Sequence, residues 1–183
     1  MAYNFELYTA ASKETLDWLG REYAGIRTGR ATPAVLDSVK VESYGSQMSL
    51  REIAAVGVED ARTIRINPWD ASQVKAIEKA ITVADLGLSV VTDDKGIRVI
   101  FPDLTIERRD QLTKLAKTKL EDARVAIRKA RDESMKDIES KEKEGGMGED
   151  EKFKLKAELQ KRVDESNRAI EASYEKKEAE LKQ

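Results

Sequence analysis

The chain has 183 residues, 33 Lys+Arg against 35 Asp+Glu, a formal net charge of -2, and no histidine or cysteine. That excludes imidazole acid–base catalysis, His metal sites, disulfides and thiol chemistry. Charged residues make up 37% of the chain and aromatics 5%, against roughly 25% charged in an average soluble domain, which points to long helices with solvated faces.

A first helix is predicted over about Asn4 to Thr28. Ser12, Leu16, Leu19, Tyr23 and Ile26 follow 4-3-4-3 spacing and share one stripe. Gly29 then caps it and Pro33 blocks its continuation. From Ala31 the period shortens. Val39 and Val41, and then Ile64 and Ile66, alternate with polar neighbours as strands do. Asp70 is expected to cap a helix with Gln73 at its third position, Val74, Ile77, Ala80 and Ile81 forming the apolar face and Gly87 the end. Two further strands, Leu88 to Thr92 and Gly96 to Phe101, flank the turn Asp93-Asp94-Lys95-Gly96. Trp69 is read as packing at the turn after Asn67-Pro68. All three prolines lie between residues 31 and 104, a stretch with 8 basic and 11 acidic residues.

From Thr105, a good N-cap, a second long helix runs to about Lys143 without Gly or Pro. At about 1.5 Å per residue it is about 58 Å long. Its stripe is Leu112, Ala116, Leu120, Ala123, Ile127, Ala130, Ser134 and Ile138. Gly145-Gly146-Met147-Gly148 makes a turn. A last helix carries Leu155, Leu159, Val163, Ile170, Tyr174 and Leu181, its stripe interrupted at Asn167. Three such stripes are best buried against one another. The fold class is therefore α+β: a long antiparallel three-helix bundle (residues 1–30 and 105–183) with an inserted small β/α/β domain (31–104). The two short connections between them make a hinge, and the mutually buried stripes suit a monomer.

Catalysis finds no support. Paired carboxylates lie on solvated faces among lysines at i±3 and i±4. Gly145-Gly146-Met147-Gly148 lacks the preceding strand and following Lys-Ser/Thr of a P-loop. No metal site, cofactor or small-molecule substrate is indicated. No apolar run reaches the ~18 residues of a membrane span. Glu6, Glu14 and Asp17 disfavour a targeting peptide, which makes the cytoplasm the expected location.

Between Arg108 and Arg131 there are nine basic and three acidic residues. Of these, Lys114, Lys117, Arg124, Arg128 and Arg131 fall within an arc of about 100°, displaced by about 110° from the apolar stripe and interrupted only by Glu121. Such a row, about 25 Å long, suits a phosphate backbone, to which arginines offer bidentate contacts. The pattern equally suits a solvated face laced with ion pairs. Trp18 and Tyr23 are read as core rather than as base-stacking platforms.

The sequence resembles bacterial ribosome recycling factor over essentially its whole length. The matching stretches are Ile26-Arg27-Thr28-Gly29-Arg30-Ala31 with Pro33; Arg62-Thr63-Ile64-Arg65-Ile66; Asp85-Leu86-Gly87-Leu88; Ile97-Arg98-Val99; Leu104-Thr105 with Glu107-Arg108-Arg109; and Ala123-Arg124-Val125-Ala126-Ile127-Arg128 with Arg131. It departs from the family at Ser89-Val90, at Ile106 and in the glycine-rich turn. The resemblance implies an L-shaped, tRNA-sized, non-enzymatic factor. Such a factor binds the post-termination ribosome and, with elongation factor G and GTP, promotes its dissociation into subunits. It implies contact with large-subunit rRNA through Arg128 and Arg131, and further through Arg109 and Arg124; Lys114 and Lys117 are added as candidates from the basic arc. It further implies a hinge at Thr28, Gly29, Arg30, Ala31 and Thr32 and at Asp103, Leu104 and Thr105. The alternative from another class is a helical adaptor or chaperone cofactor that docks a protein.

Overall fold

A computed structural model describes residues 3–182. The chain divides into two compact units. One gathers residues 3–23 and Thr113–Ala179; the other gathers Ala24–Leu112 and residues 180–182.

The first unit is a three-helix bundle built from α1 (Glu6–Gly25), α4 (Ile106–Lys143) and α5 (Glu149–Lys182). Contacts at both ends set the directions. Tyr3 Oη donates to Asp137 (2.8 Å) and Tyr23 Oη to the Ala116 carbonyl (3.0 Å), so α1 and α4 run antiparallel. Every member of the expected α4 stripe, from Leu112 to Ile138, is buried. The α1 stripe is Tyr8, Ser12, Thr15, Leu19 and Tyr23; Leu16 is only half-buried. α1 also stops three residues short of the expected end. Ile26 and Arg27, both buried, leave the helix to join the second unit. On α5 Ser166, not Asn167, lies in the buried stripe, which also takes in Lys177. Ser166 Oγ is 2.8 Å from both Tyr8 Oη and Ser12 Oγ, a hydrogen-bonded polar cluster inside the bundle.

The second unit is α+β. A hairpin of β1 (Lys40–Ser43) and β2 (Ser46–Ser49) precedes the short α2 (Leu50–Ile53). Then β3 (Ala54–Asp60), β4 (Thr63–Pro68), β5 (Ser89–Asp93) and β6 (Gly96–Ile100) form an antiparallel sheet in the order β3-β4-β6-β5. α3 (Val74–Val83) covers it. Ile77 and Ile81 of α3 pack with Ile64, Ile66, Ile97, Val99, Phe101 and Val41 into one core. The Asp93–Gly96 turn forms as expected: those two residues pair, and Asp93 Oδ1 accepts the Lys95 N–H at 2.9 Å. Gly96 has φ +134°, and a Cβ there would collide with the Ile66 carbonyl, so no larger residue fits.

Several expectations are corrected. β2, α2 and β3 were not legible as elements, because Ala54-Ala55-Val56-Gly57-Val58 alternates weakly and is half-buried or exposed over most of its length. Asp70 caps a single 3-10 turn, accepting the Ser72 N–H at 2.8 Å. Gln73 does not complete a capping box; it accepts from Ser43 Oγ at 2.7 Å. α3 ends before Gly87, at Val83, and Asp85 takes the left-handed conformation (φ 48°) just beyond it. Trp69 does not pack. It is 71% exposed, and only its backbone N–H is engaged, by the Ile53 carbonyl (3.0 Å).

Candidate nucleic-acid interface

The cation row is built on α4. Thr105 starts this helix, its Oγ1 accepting the Arg108 N–H at 3.2 Å. The 38 residues that follow contain neither Gly nor Pro, so the helix continues without a kink. Burial of the apolar stripe then decides where the cations point. Lys114, Lys117 and Arg128 are exposed. No carboxylate lies within ion-pair distance of them among the described residues.

Arg124 and Arg131 sit nearer the stripe and are half-buried. Arg124 is held between Glu121 (2.6 Å) and Glu171 of α5, and the Glu171 carboxylate raises its pKa above the ordinary guanidinium value. Arg131 is paired with Asp132 at 2.8 Å. The row is therefore interrupted by Glu171 and Asp132 as well as by Glu121. Arg109 stands apart, in the second unit. Its guanidinium donates to two backbone carbonyls, Leu181 (2.7 Å) and Leu104 (3.5 Å). The first of these is among the otherwise unpaired carbonyls at the C-terminal end of α5. Lys119, outside the arc, pairs with Glu22 at 2.9 Å and lies 5.6 Å from the Trp18 ring.

The two chain connections meet within the second unit. Thr28, Gly29, Arg30 and Thr32 line an open cleft of about 400 Å³ together with Asp103, Arg62 and Arg109. The Ala31 N–H donates to the Ala61 carbonyl (2.8 Å), and Arg62 grips Asp103 with two bonds of 3.0 and 2.6 Å. Leu104 is buried and Thr105 exposed. One residue of this region that sequence reasoning did not single out is Arg27, whose Nη2 donates to the Pro102 carbonyl. Nothing in the local sequence signals that contact, since its partner lies 75 positions away.

A family model described as ribosome recycling factor matches residues 19–181. The chain belongs to the ribosome recycling factor family. It is 47% identical over 171 residues to the ribosome-recycling factor of Endomicrobium trichonymphae, covering 93% of this chain and 92% of that one. It is 44% identical over 168 residues to that of Pseudomonas putida (strain W619), covering 92% and 91%. Among solved structures, a solution structure of the ribosome recycling factor has a TM-score of 0.73 and 37% identity, covering 97% of this chain and 94% of that one. A second match is the Thermus thermophilus ribosome recycling factor, described together with Escherichia coli elongation factor G as bound to the Escherichia coli post-termination complex. It has a TM-score of 0.66 and 40% identity over 96% and 97% of the two chains. Ribosome recycling factors are non-enzymatic translation factors. Among the described residues no helix is long and apolar enough to cross a membrane.

Proposed function

We propose that this ribosome recycling factor binds the post-termination ribosome in the cytoplasm as a monomer. Together with elongation factor G and GTP, it promotes separation of the ribosome into subunits. The observation that carries the reading is a set of exposed cations, Lys114, Lys117 and Arg128, with no carboxylate in ion-pair range among the described residues, on one unbroken 38-residue helix of a chain of net charge -2. In that reading the row lies on large-subunit rRNA phosphates, with Arg131 joining it once a phosphate displaces Asp132. Phosphate contacts of this kind fix position without reading sequence. Residues 1–30 and 105–183 act as the anchored domain and 31–104 as the moving one. The connections 28–32 and 103–105 serve as the hinge, and the partner supplies all nucleotide chemistry.

The test is sedimentation of post-termination ribosomes with the protein, with and without elongation factor G and GTP. Cosedimentation without the partner and separated subunits with both are expected. Replacing Arg131 or Arg128 with Ala weakens large-subunit binding about tenfold or more, from ~1.5–3 kcal/mol per charged hydrogen bond, while the thermal unfolding curve stays in place. Wild-type affinity in both variants removes the row from the interface. With about four phosphates contacted, the log–log salt slope is about -2.8 to -3.6.

A further inference from the structure

Arg27 is a buried cation with no carboxylate in ion-pair range among the described residues. It is 6% exposed. Its Nη2 donates to the Pro102 carbonyl, its guanidinium carbon lies 6.0 Å from the centre of the Phe101 ring, and its Nε has no hydrogen-bond partner among the described residues. Burial, and secondly the neighbouring Arg108 guanidinium, hold its pKa below the usual arginine value. Taking an unpaired charge out of water is costly. A leucine or methionine would fill the same space without that cost, so the guanidinium's own geometry is what the site uses.

That geometry joins three stretches of chain that are distant in sequence. Arg27 ends the segment leading from α1 into the connection 28–32. Phe101 and Pro102 immediately precede the connection 103–105. Phe101 is fully buried, and its N–H donates to the Arg62 carbonyl at 2.8 Å, which ties it to the start of β4. The third stretch is Gly87, where φ is +67° and a Cβ would stand 3.2 Å from Arg27 Nη1. Glycine there meets the backbone requirement and also leaves room for the guanidinium. A planar, delocalised fork that donates to a carbonyl while lying near an aromatic ring is a property of arginine that lysine lacks.

We propose that Arg27 is a positioning residue that holds the chain's entry into the small domain beside its exit, so that the two connections flex together as one hinge and a push on that domain swings it as a body instead of being lost in two independently moving strands. This rests on the recycling function proposed above. The clamp acts on transmission and leaves the rRNA-facing row untouched, so its loss separates splitting from binding.

The experiment uses full-length Arg27→Met and Arg27→Lys proteins. Spin labels are placed on cysteines introduced at the exposed Lys75 and Lys154, in a chain that has no other cysteine. In Arg27→Met, ribosome affinity is expected to stay within about twofold of wild type. Splitting with elongation factor G and GTP slows by about tenfold or more, and the label-to-label distance distribution of the free protein broadens. Arg27→Lys falls between the two in both rate and width. A wild-type splitting rate and unchanged width in Arg27→Met overturn the proposal. Should that variant lose its fold, Arg27→Lys decides, and wild-type behaviour there overturns it equally. If the wild-type chain itself splits no ribosomes, the recycling function fails, while the distance distributions still report whether the clamp exists.

Discussion

Ser134 and Ser166 occupy equivalent places on the apolar stripes of α4 and α5, yet their hydroxyls are treated differently. Ser166 Oγ bonds Tyr8, Ser12 and the Arg162 carbonyl (2.9 Å). Ser134, 1% exposed, has no partner for its Oγ among the described residues. A buried hydroxyl without a partner bears its desolvation cost uncompensated, so Ser134→Ala is expected to raise stability by about 1 kcal/mol. Ser166→Ala removes the Ser166 partner of Ser12 Oγ and leaves Tyr8 Oη only its longer bond to the Arg162 carbonyl (3.3 Å), and lowers stability by about 1–2 kcal/mol. Urea midpoints of the two variants move in opposite directions; a loss in both contradicts the assignment of Ser134. None of this was legible locally. Ser134 is visible in the sequence as a stripe member, but Ser166 differs from Asn167 only by its partners 154 and 158 positions away. The same limit applied to Arg124, whose Glu171 partner belongs to another helix, and to Trp69, whose neighbours Asn67-Pro68 announce a turn without saying what covers it.

Among the elements, the outward face of the four-stranded sheet is held by charge. Arg65 and Arg98 face one another across β4 and β6. Asp93 takes both nitrogens of Arg65 at 2.6 Å, and Glu59 takes Arg98 at 2.6 and 2.8 Å. The Arg65 hydrogen bonds hold the Asp93 carboxyl down at about 2, with the Lys95 N–H adding to the effect. A carboxyl whose pKa is lower in the folded chain than in the unfolded one contributes stability above its unfolded pKa, near 3.9. That contribution is lost as pH falls towards the folded value. The Tm difference between wild type and Asp93→Asn is therefore constant above about pH 5, narrows as pH falls from about 5 to about 2, and closes only below the folded pKa. A gap that does not narrow between about pH 5 and about pH 2 refutes the pairing. The strands at its centre were legible because Ile64/Ile66 and Ile97/Val99 alternate with polar residues. β3 was not: an edge strand with Gly57, Val58 and Glu59 exposed has little apolar alternation to read.

For the whole molecule, the proposed function requires the two chain connections to flex together as one hinge, a movement that a covalent bridge would freeze. A crosslink bridging residues 28–32 and 103–105, made through introduced cysteines, is expected to leave ribosome affinity within about threefold of wild type. Splitting with elongation factor G and GTP falls by about tenfold or more and returns on reduction. Light scattering follows the splitting, and normal rates in the oxidised protein rule out the moving-domain picture. Everything that repeats along one element can be read from the order of residues. The unbroken periodicity from Ile106 to Lys143 places both the apolar stripe and the cation row, and the clustered prolines mark off the small domain. Helical phase and backbone preference are local and add residue by residue, so they can be read without knowing the neighbours. The tertiary structure alone decided which cations of that row stay free, which hydroxyl in the bundle finds a partner, and that Arg27 leaves its helix to join Gly87 and Pro102. Each of those outcomes is a pairing energy between groups far apart in the chain, and it exists only once packing has brought them together.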